Sequence, residues 1–141
     1  MSPEDAHLVT STCLALHARR AARRLARAYD EALKPSGLSS GQFSLMARLA
    51  AEPGSALSAV AADLGMDRTS LTAALKPLAR EGLVASAGDA ADARLRRLSL
   101  TEAGRERLRA ALPLWRAAQA AADAQAGSRA ALLRADLNAL G

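Results

Sequence analysis

Aromatic side chains are nearly missing from this sequence: Tyr29, Phe43 and Trp115 are the only ones in 141 residues. A core must therefore be built from aliphatic groups, and alanine supplies much of the apolar half of the composition. Such a chain is helical by propensity, with a thin core that gains from dimerisation. Cysteine occurs once, as Cys13, which excludes an internal disulfide framework. Histidine occurs twice, as His7 and His17. A metal site would have to come from His7, Cys13 and His17; Cys13 and His17 lie one helical turn apart, and two ligands are too few for a closed zinc site. No metal and no cofactor is expected. No apolar run approaches the length needed to cross a bilayer, and Met1 to Thr10 has no signal-peptide pattern, so a soluble, cytoplasmic protein with no membrane partner is expected. The nucleophile-elbow, zinc-helix, phosphate-loop and dinucleotide glycine patterns are all absent, so no catalytic residues and no enzyme are expected. Negative charge is outnumbered. Nineteen Lys and Arg face fourteen Asp and Glu, and the net charge is +5. A pI of about 10.6 suits a polyanionic partner.

What is present is organised around Leu57 to Val84, LSAVAADLGMDRTSLTAALKPLAREGLV. Leu57, Val60, Ala61 and Leu64 recur at i, i+3, i+4 and i+7, one face of a short helix. Gly65 supplies the left-handed residue that ends it. Asp67 is an N-cap for a second helix from Arg68 to about Glu81, which buries Leu71, Ala74, Leu75 and Leu78. Pro77 removes one backbone bond within it. Two helices joined by a tight glycine turn form a helix-turn-helix, whose second helix fits the major groove of DNA. Its outward residues Arg68, Thr69, Ser70, Thr72, Ala73 and Lys76 include short donors, acceptors and cations suited to base edges and phosphates. The plain alternative is two helices of any helical bundle.

The continuation favours DNA. Leu83 to Ser86 reads as a strand, Ala87 to Ala93 as a small-residue loop, and Leu95 to Leu100 as a returning strand before Thr101 caps another helix. That is a two-stranded wing. With it the chain resembles the MarR family of bacterial transcriptional regulators, through GLSSGQFSLM, DLGMDRTSLTAALKPLAREGLV and DARLRRLSLTEAGRERL. The resemblance covers roughly Cys13 to Gln125. The fold expected is mainly α with a two-stranded β-wing, a winged helix-turn-helix dimerised through its N- and C-terminal helices.

Three regions follow: an N-terminal dimerisation helix in 1–36, a DNA-binding lobe in 37–101, and C-terminal dimerisation helices in 102–141. Met1 to Val9 reads as a frayed start. A long helix from about Thr10 to Leu33 gathers Leu14, Ala18, Ala21, Ala22, Leu25, Ala28, Tyr29, Ala32 and Leu33 on one face. Arg19, Arg20, Arg23, Arg24 and Arg27 fall on the other, either as a solvated face or as an anion-attracting wall. Ser39 and Gln42 form a capping box for a helix that buries Phe43, Met46, Ala47 and Ala50. The next helix start is weakly capped unless Ser55 serves. Thr101 to about Ala126 reads as one helix through Pro113, with Leu108, Ala111, Leu112 and Trp115 inward. Ser128 reads as the cap of a final helix. There Ala130, Leu133, Leu137 and Leu140 form a narrow stripe that wants a partner helix.

The resemblance implies a homodimer on a pseudo-palindromic, double-stranded operator, usually as a repressor. It adds a wing tip in which Arg94 enters the minor groove and Asp92 orients it. Arg96 and Arg97 then meet phosphates. It also implies a small anionic aromatic or phenolic effector held between the dimer helices and the lobe, with His17, Arg20, Phe43, Met46 and Trp115 as its candidate contacts. Cys13, His17, Arg20 and Arg24 form a helical column, and cations lower a thiol's pKa. The peroxide-sensing branch of the family has a cysteine in a similar place, so a redox regulator is one alternative. The tyrosines that accompany it there are at best half kept here, with Arg27 or Tyr29 and Ser40 as the nearest equivalents. A second alternative is an interaction protein that keeps the fold without the DNA contacts.

Overall fold

The computed structural model describes residues 1–140. Helix α1 spans Pro3–Thr12 and α2 spans Leu14–Leu33. This corrects the frayed start. Ser2 and Asp5 make a reciprocal capping box and Pro3 fills the first turn, so the segment has the local signals of a helix start. The long first helix is thus two, broken at Cys13, whose backbone is extended at φ −67°, ψ 105°. A 3₁₀ turn at Lys34–Ser36 and Gly37, at φ 73°, reverse the chain into α3, Ser40–Ala51. The Ser39–Gln42 capping box opens α3 as expected. Leu45 and Leu49 are buried with Phe43 and Met46, whereas Ala47 is half-buried and Ala50 exposed, contrary to expectation.

A third strand joins the wing. Strand β1, Ser55–Ala56, leads directly into α4, Leu57–Asp63, and pairs with β3, Arg96–Leu100. β3 pairs antiparallel on its other edge with β2, Val84–Gly88, giving the order β1–β3–β2. Two residues of β1 were too short a run to announce a strand. Ser55 does not cap α4. Ala56 is its N-cap residue, and no side chain closes the turn. Helix α5, Arg68–Arg80, continues through Pro77.

Helix α6, Glu102–Ala126, is capped by Thr101 and runs through Pro113. Gly127 stops it at φ 60°. Ser128 is not a cap. It lies in a 3₁₀ turn, Gly127–Arg129, and α7, Ala130–Asn138, follows with Arg129 as an unbonded N-cap. No described helix is long and apolar enough to cross a membrane.

The core is one cluster that gathers Leu33, Leu38, Phe43, Leu45, Met46, Leu49, Val60, Leu71, Leu78, Leu98 and Leu100 beneath the lobe. Leu71, Leu75 and Leu78 of α5 reach it as expected, with Ala74 packed at its edge. Of the apolar face assigned to the first helix, only Leu33 is buried. Leu14 is 61% exposed and Leu25 42%.

Candidate nucleic-acid interface

The recognition helix is set by a turn and a cap. Gly65, at φ 62°, lets the chain leave α4, and Asp67 then accepts from the Ser70 amide at 2.8 Å and from its hydroxyl at 2.7 Å. The Ser70 hydroxyl bond, followed by the backbone bond, holds the Asp67 carboxyl below its ordinary pKa. The carboxylate also faces the positive end of the α5 dipole. Arg68, Thr69, Thr72, Ala73 and Lys76 then line one open outer surface. The Thr72 hydroxyl bonds the Arg68 carbonyl at 2.7 Å. Ser70 sits beside this surface, with its hydroxyl spent on the cap.

The wing supplies the second element. Side chains alternate along a strand, so Arg96 shares a face with the buried Leu98, while Arg97 and Ser99 take the other. Arg96 borders a groove whose other wall is Arg68, Thr72 and Lys76 of α5. Its Nε donates to the Ser86 hydroxyl at 3.0 Å. Arg97 turns inward to the wing. Its Nε donates to Asp89 at 2.7 Å and its Nη1 reaches the Gly54 carbonyl at 3.5 Å. Asp89 also accepts from the amides of Ala91 and Asp92, at 2.8 and 3.1 Å. The Arg97 bond is the main cause of its lowered pKa. Asp89 therefore organises the wing loop. An aspartate bonding the amide two residues on is an Asx turn, and that spacing in GDAADAR was the signal available for it.

At the tip, Asp92 braces Arg94 in three ways. It accepts from the Arg94 amide at 3.0 Å, from Nε at 3.1 Å and from Nη2 at 3.1 Å. The side-chain bond to Arg94 is the first cause of the lowered Asp92 pKa. The Arg94 side chain nevertheless stays 91% exposed. A guanidinium presented to solvent but fixed in orientation is pre-organised for a groove of negative potential.

Where the lobe meets α6, α3 and α6 flank an open cavity of about 480 Å³, lined by Phe43, Ala47, Ala50, Arg105, Leu108, Arg109, Leu112 and Trp115. Phe43 and Trp115 stack with centroids 5.8 Å apart and planes 13° apart. Of the five residues expected at an effector site, only these two line it. Met46 is fully buried in the core, because it falls on the inner face of α3. His17 and Arg20 lie on exposed α2, with the His17 Nε2 3.0 Å from the Ser11 carbonyl oxygen. Arg105 and Arg109 were missed, since arginines on an amphipathic helix read as solvated. Arg105 is held by Glu102 at 3.0 Å and by the Leu100 carbonyl at 3.1 Å.

A polar recognition helix behind a glycine turn, flanked by a wing with a braced arginine at its tip, defines a winged helix-turn-helix DNA-binding protein. No protein-family model and no curated protein matches the chain. Solved structures do. The chain is 43% identical to the Mycobacterium tuberculosis transcriptional regulator MosR in complex with DNA, over 91% of this chain and 92% of that one, with a TM-score of 0.84. It is 27% identical to the transcriptional repressor CouR bound to a 23-mer DNA duplex, over 94% and 92%, with a TM-score of 0.74. A MarR-family regulator from Rhodococcus sp. RHA1, at 23% identity over 92% and 91%, shares the fold with a TM-score of 0.75. The chain belongs to the MarR family. It is a DNA-binding transcriptional regulator and not an enzyme.

Proposed function

We propose that the chain acts as a homodimeric repressor on a pseudo-palindromic operator, and that a small aromatic or phenolic acid in the Phe43–Trp115 cavity releases it. The observation that carries the ligand half is the cavity itself. Its walls are apolar except for Arg105 and Arg109, the pattern that accepts a flat apolar ring and an acid group. The likeness to CouR, a repressor bound to a duplex, supports the direction of regulation. On the DNA side, Arg68, Thr69, Thr72 and Lys76 read the major groove, Arg94 enters the minor groove, and Arg96 meets phosphate. Asp92, Ser70 and Arg97 hold these elements in shape.

Dimerisation is supported by the exposed apolar residues outside the lobe, among them Leu8, Leu14, Leu132, Leu133, Leu137 and Leu140. Two copies place two recognition helices on successive major-groove faces, about 34–36 Å apart. The test uses the single tryptophan. Protein bound to a duplex from its own promoter is titrated with 4-hydroxybenzoate and related aromatic acids while Trp115 fluorescence and DNA retardation are read together. The expected result is a saturable fluorescence change that tracks loss of the shifted band and weakens in Arg109→Ala. Fluorescence that stays flat to millimolar concentration for every acid would overturn the ligand reading.

A further inference from the structure

The two DNA-reading elements are joined through one side chain that belongs to neither. Arg48 lies near the end of α3 and is only 15% exposed, whereas its two carboxylate partners are 52% and 69% exposed. Its Nε donates to Asp63 at 2.6 Å, its Nη2 to Glu52 at 2.8 Å and its Nη1 to the Ser55 hydroxyl at 3.2 Å. A planar guanidinium offers these three directions from one rigid fork, which an ammonium cannot.

Each contact leads somewhere different. Asp63 is the last residue of α4. Met66 N–H bonds back to Ala61 at 2.8 Å, so the turn from Asp63 into the Asp67 cap of α5 is short and closed. Ser55 begins β1 and pairs with Leu98 of β3. Gly54 N–H bonds the Leu98 carbonyl at 2.9 Å and the Ser99 hydroxyl at 3.0 Å, and the Gly54 carbonyl accepts from Arg97, which carries Asp89 and the wing loop. One route from Arg48 therefore ends at the recognition helix and the other at the wing. Glu52 fixes the guanidinium to its own helix.

We propose that Arg48 is a positioning residue that holds α5 and the wing in the one relative register that fits a major groove and its neighbouring minor groove together. An exposed ion pair adds little to stability. A largely covered guanidinium bonded to three segments instead removes freedom between them, and that freedom matters only when two contacts must be made on one rigid duplex. Non-specific binding, which follows charge rather than register, does not depend on it.

The inference rests on the recognition helix and wing being the DNA contacts, and the experiment separates the two ideas. Operator and unrelated duplex affinities are measured at one salt concentration for wild type, Arg48→Gln, Arg94→Ala and the double variant, with a thermal melt of each. Arg48→Gln is expected to weaken operator binding by about tenfold or more while unrelated duplex changes by less than about twofold. Arg94→Ala is expected to cost a markedly smaller factor in the Arg48→Gln background than in wild type, because a wing out of register has less to lose. Arg48→Lys restores charge but only one contact, so it should stay with Arg48→Gln in operator affinity. If Arg48→Gln does not fold, Asp63→Asn, which loosens only the α4 route, carries the same measurements. Equal losses on both duplexes, an unchanged operator affinity, or full rescue by Arg48→Lys would overturn the proposal. Arg94→Ala without effect in wild type would instead strike the wing contact itself, and the ratio of operator to unrelated duplex would still judge Arg48.

Discussion

Two regions of this chain obey different rules of burial. Every buried residue among those described lies between Leu33 and Ala111, while 1–32 and 112–140 contain none. Both regions are helical and both carry leucines. In the lobe, leucines at helical spacing meet leucines from β3 and α3, so Leu45, Leu49, Leu71, Leu78 and Leu98 vanish from the surface. In the arms, α6 packs against α2 and α7 and is tied to each by a polar bond: Tyr29 bonds Gln119 at 2.7 Å and Arg134 bonds Asp123 at 2.7 Å. Alanine gives helix propensity without much apolar area. The arms are therefore helices that still have surface to bury, and the lobe is a finished core.

The sharpest way to break this contrast is to cut the arms. Removing everything after Gly127 takes away Leu132, Leu133, Leu137 and Leu140, all exposed in the single chain. The expected outcome by light scattering is a monomer or an aggregate, with operator binding lost, because obligate dimers have no separate stability. A well-folded, DNA-binding monomer at micromolar concentration would show that the arms need no partner.

Next in size come the contacts on the lobe. With roughly 6–10 phosphate contacts per dimer, operator affinity should fall by about 10³–10⁵ between 50 and 200 mM salt. Arg68→Ala should cost about 1–3 kcal/mol and relax preference at particular base pairs. Arg94→Ala should weaken binding more evenly across sequences, since a wing arginine reads groove width. Retained binding by the double variant, or an affinity indifferent to salt, would count against the assignment.

A smaller effect separates a tight lobe from loose arms within one helix. Gly104, in the first turn of α6, is buried, and a Cβ there would run into the Leu83 carbonyl oxygen. That carbonyl also accepts the Thr101 N–H, and the Thr101 hydroxyl bonds the Gly82 carbonyl at 2.6 Å. The wing is thus pinned to α6 where no side chain fits. Gly104→Ala should cost about 1–3 kcal/mol by overpacking, read as a lower melting temperature. Gln125→Ala, at an exposed position on the far half of the same helix, should melt like wild type.

The same contrast decides what could be read from the residues alone. Lobe elements follow local rules: the Gly65 turn, the Asp67 cap, the Ser39–Gln42 box and Thr101 each act within four residues, and the structure contains all of them. β1 escaped notice because two residues carry no period, and its pairing with β3 joins Ser55 to the distant Leu98. Ser2, Pro3 and Asp5 spell the start of α1, but polar residues at a chain end equally fit a frayed segment, so the pattern alone does not separate the two. Ser128 looked like a cap, yet the chain makes a 3₁₀ turn there first. At the cavity, Phe43 and Trp115 were legible through the family resemblance, which named them among its candidate contacts. Arg105 and Arg109 did not, since only the meeting of α3 and α6 gives those arginines a shared wall. Met46 showed the converse, because one helix carries both cavity and core faces and spacing alone does not separate them.

The smallest expected effect belongs to Cys13, the one thiol, at the break between α1 and α2. It is half-buried, its N–H bonds Val9 at 3.0 Å and its carbonyl accepts from His17 at 3.1 Å. Oxidation there would put a polar group at the root of an arm and could alter the spacing of two recognition helices. Reactivity needs neighbours that hold the thiolate, and two of the candidates within this chain are bonded elsewhere. The His17 ring faces the Ser11 carbonyl at 3.0 Å. Tyr29 bonds Gln119 and lies sixteen positions on from Cys13, about 24 Å along the helix axis. Cys13→Ser should therefore leave operator affinity and ligand-driven release unchanged. Wild type and Cys13→Ser are titrated with an organic hydroperoxide in a DNA-binding assay, and the two curves should coincide. Peroxide-driven release that disappears in the serine variant would mean that a second protomer supplies the missing neighbours, and that the arms sense as well as assemble.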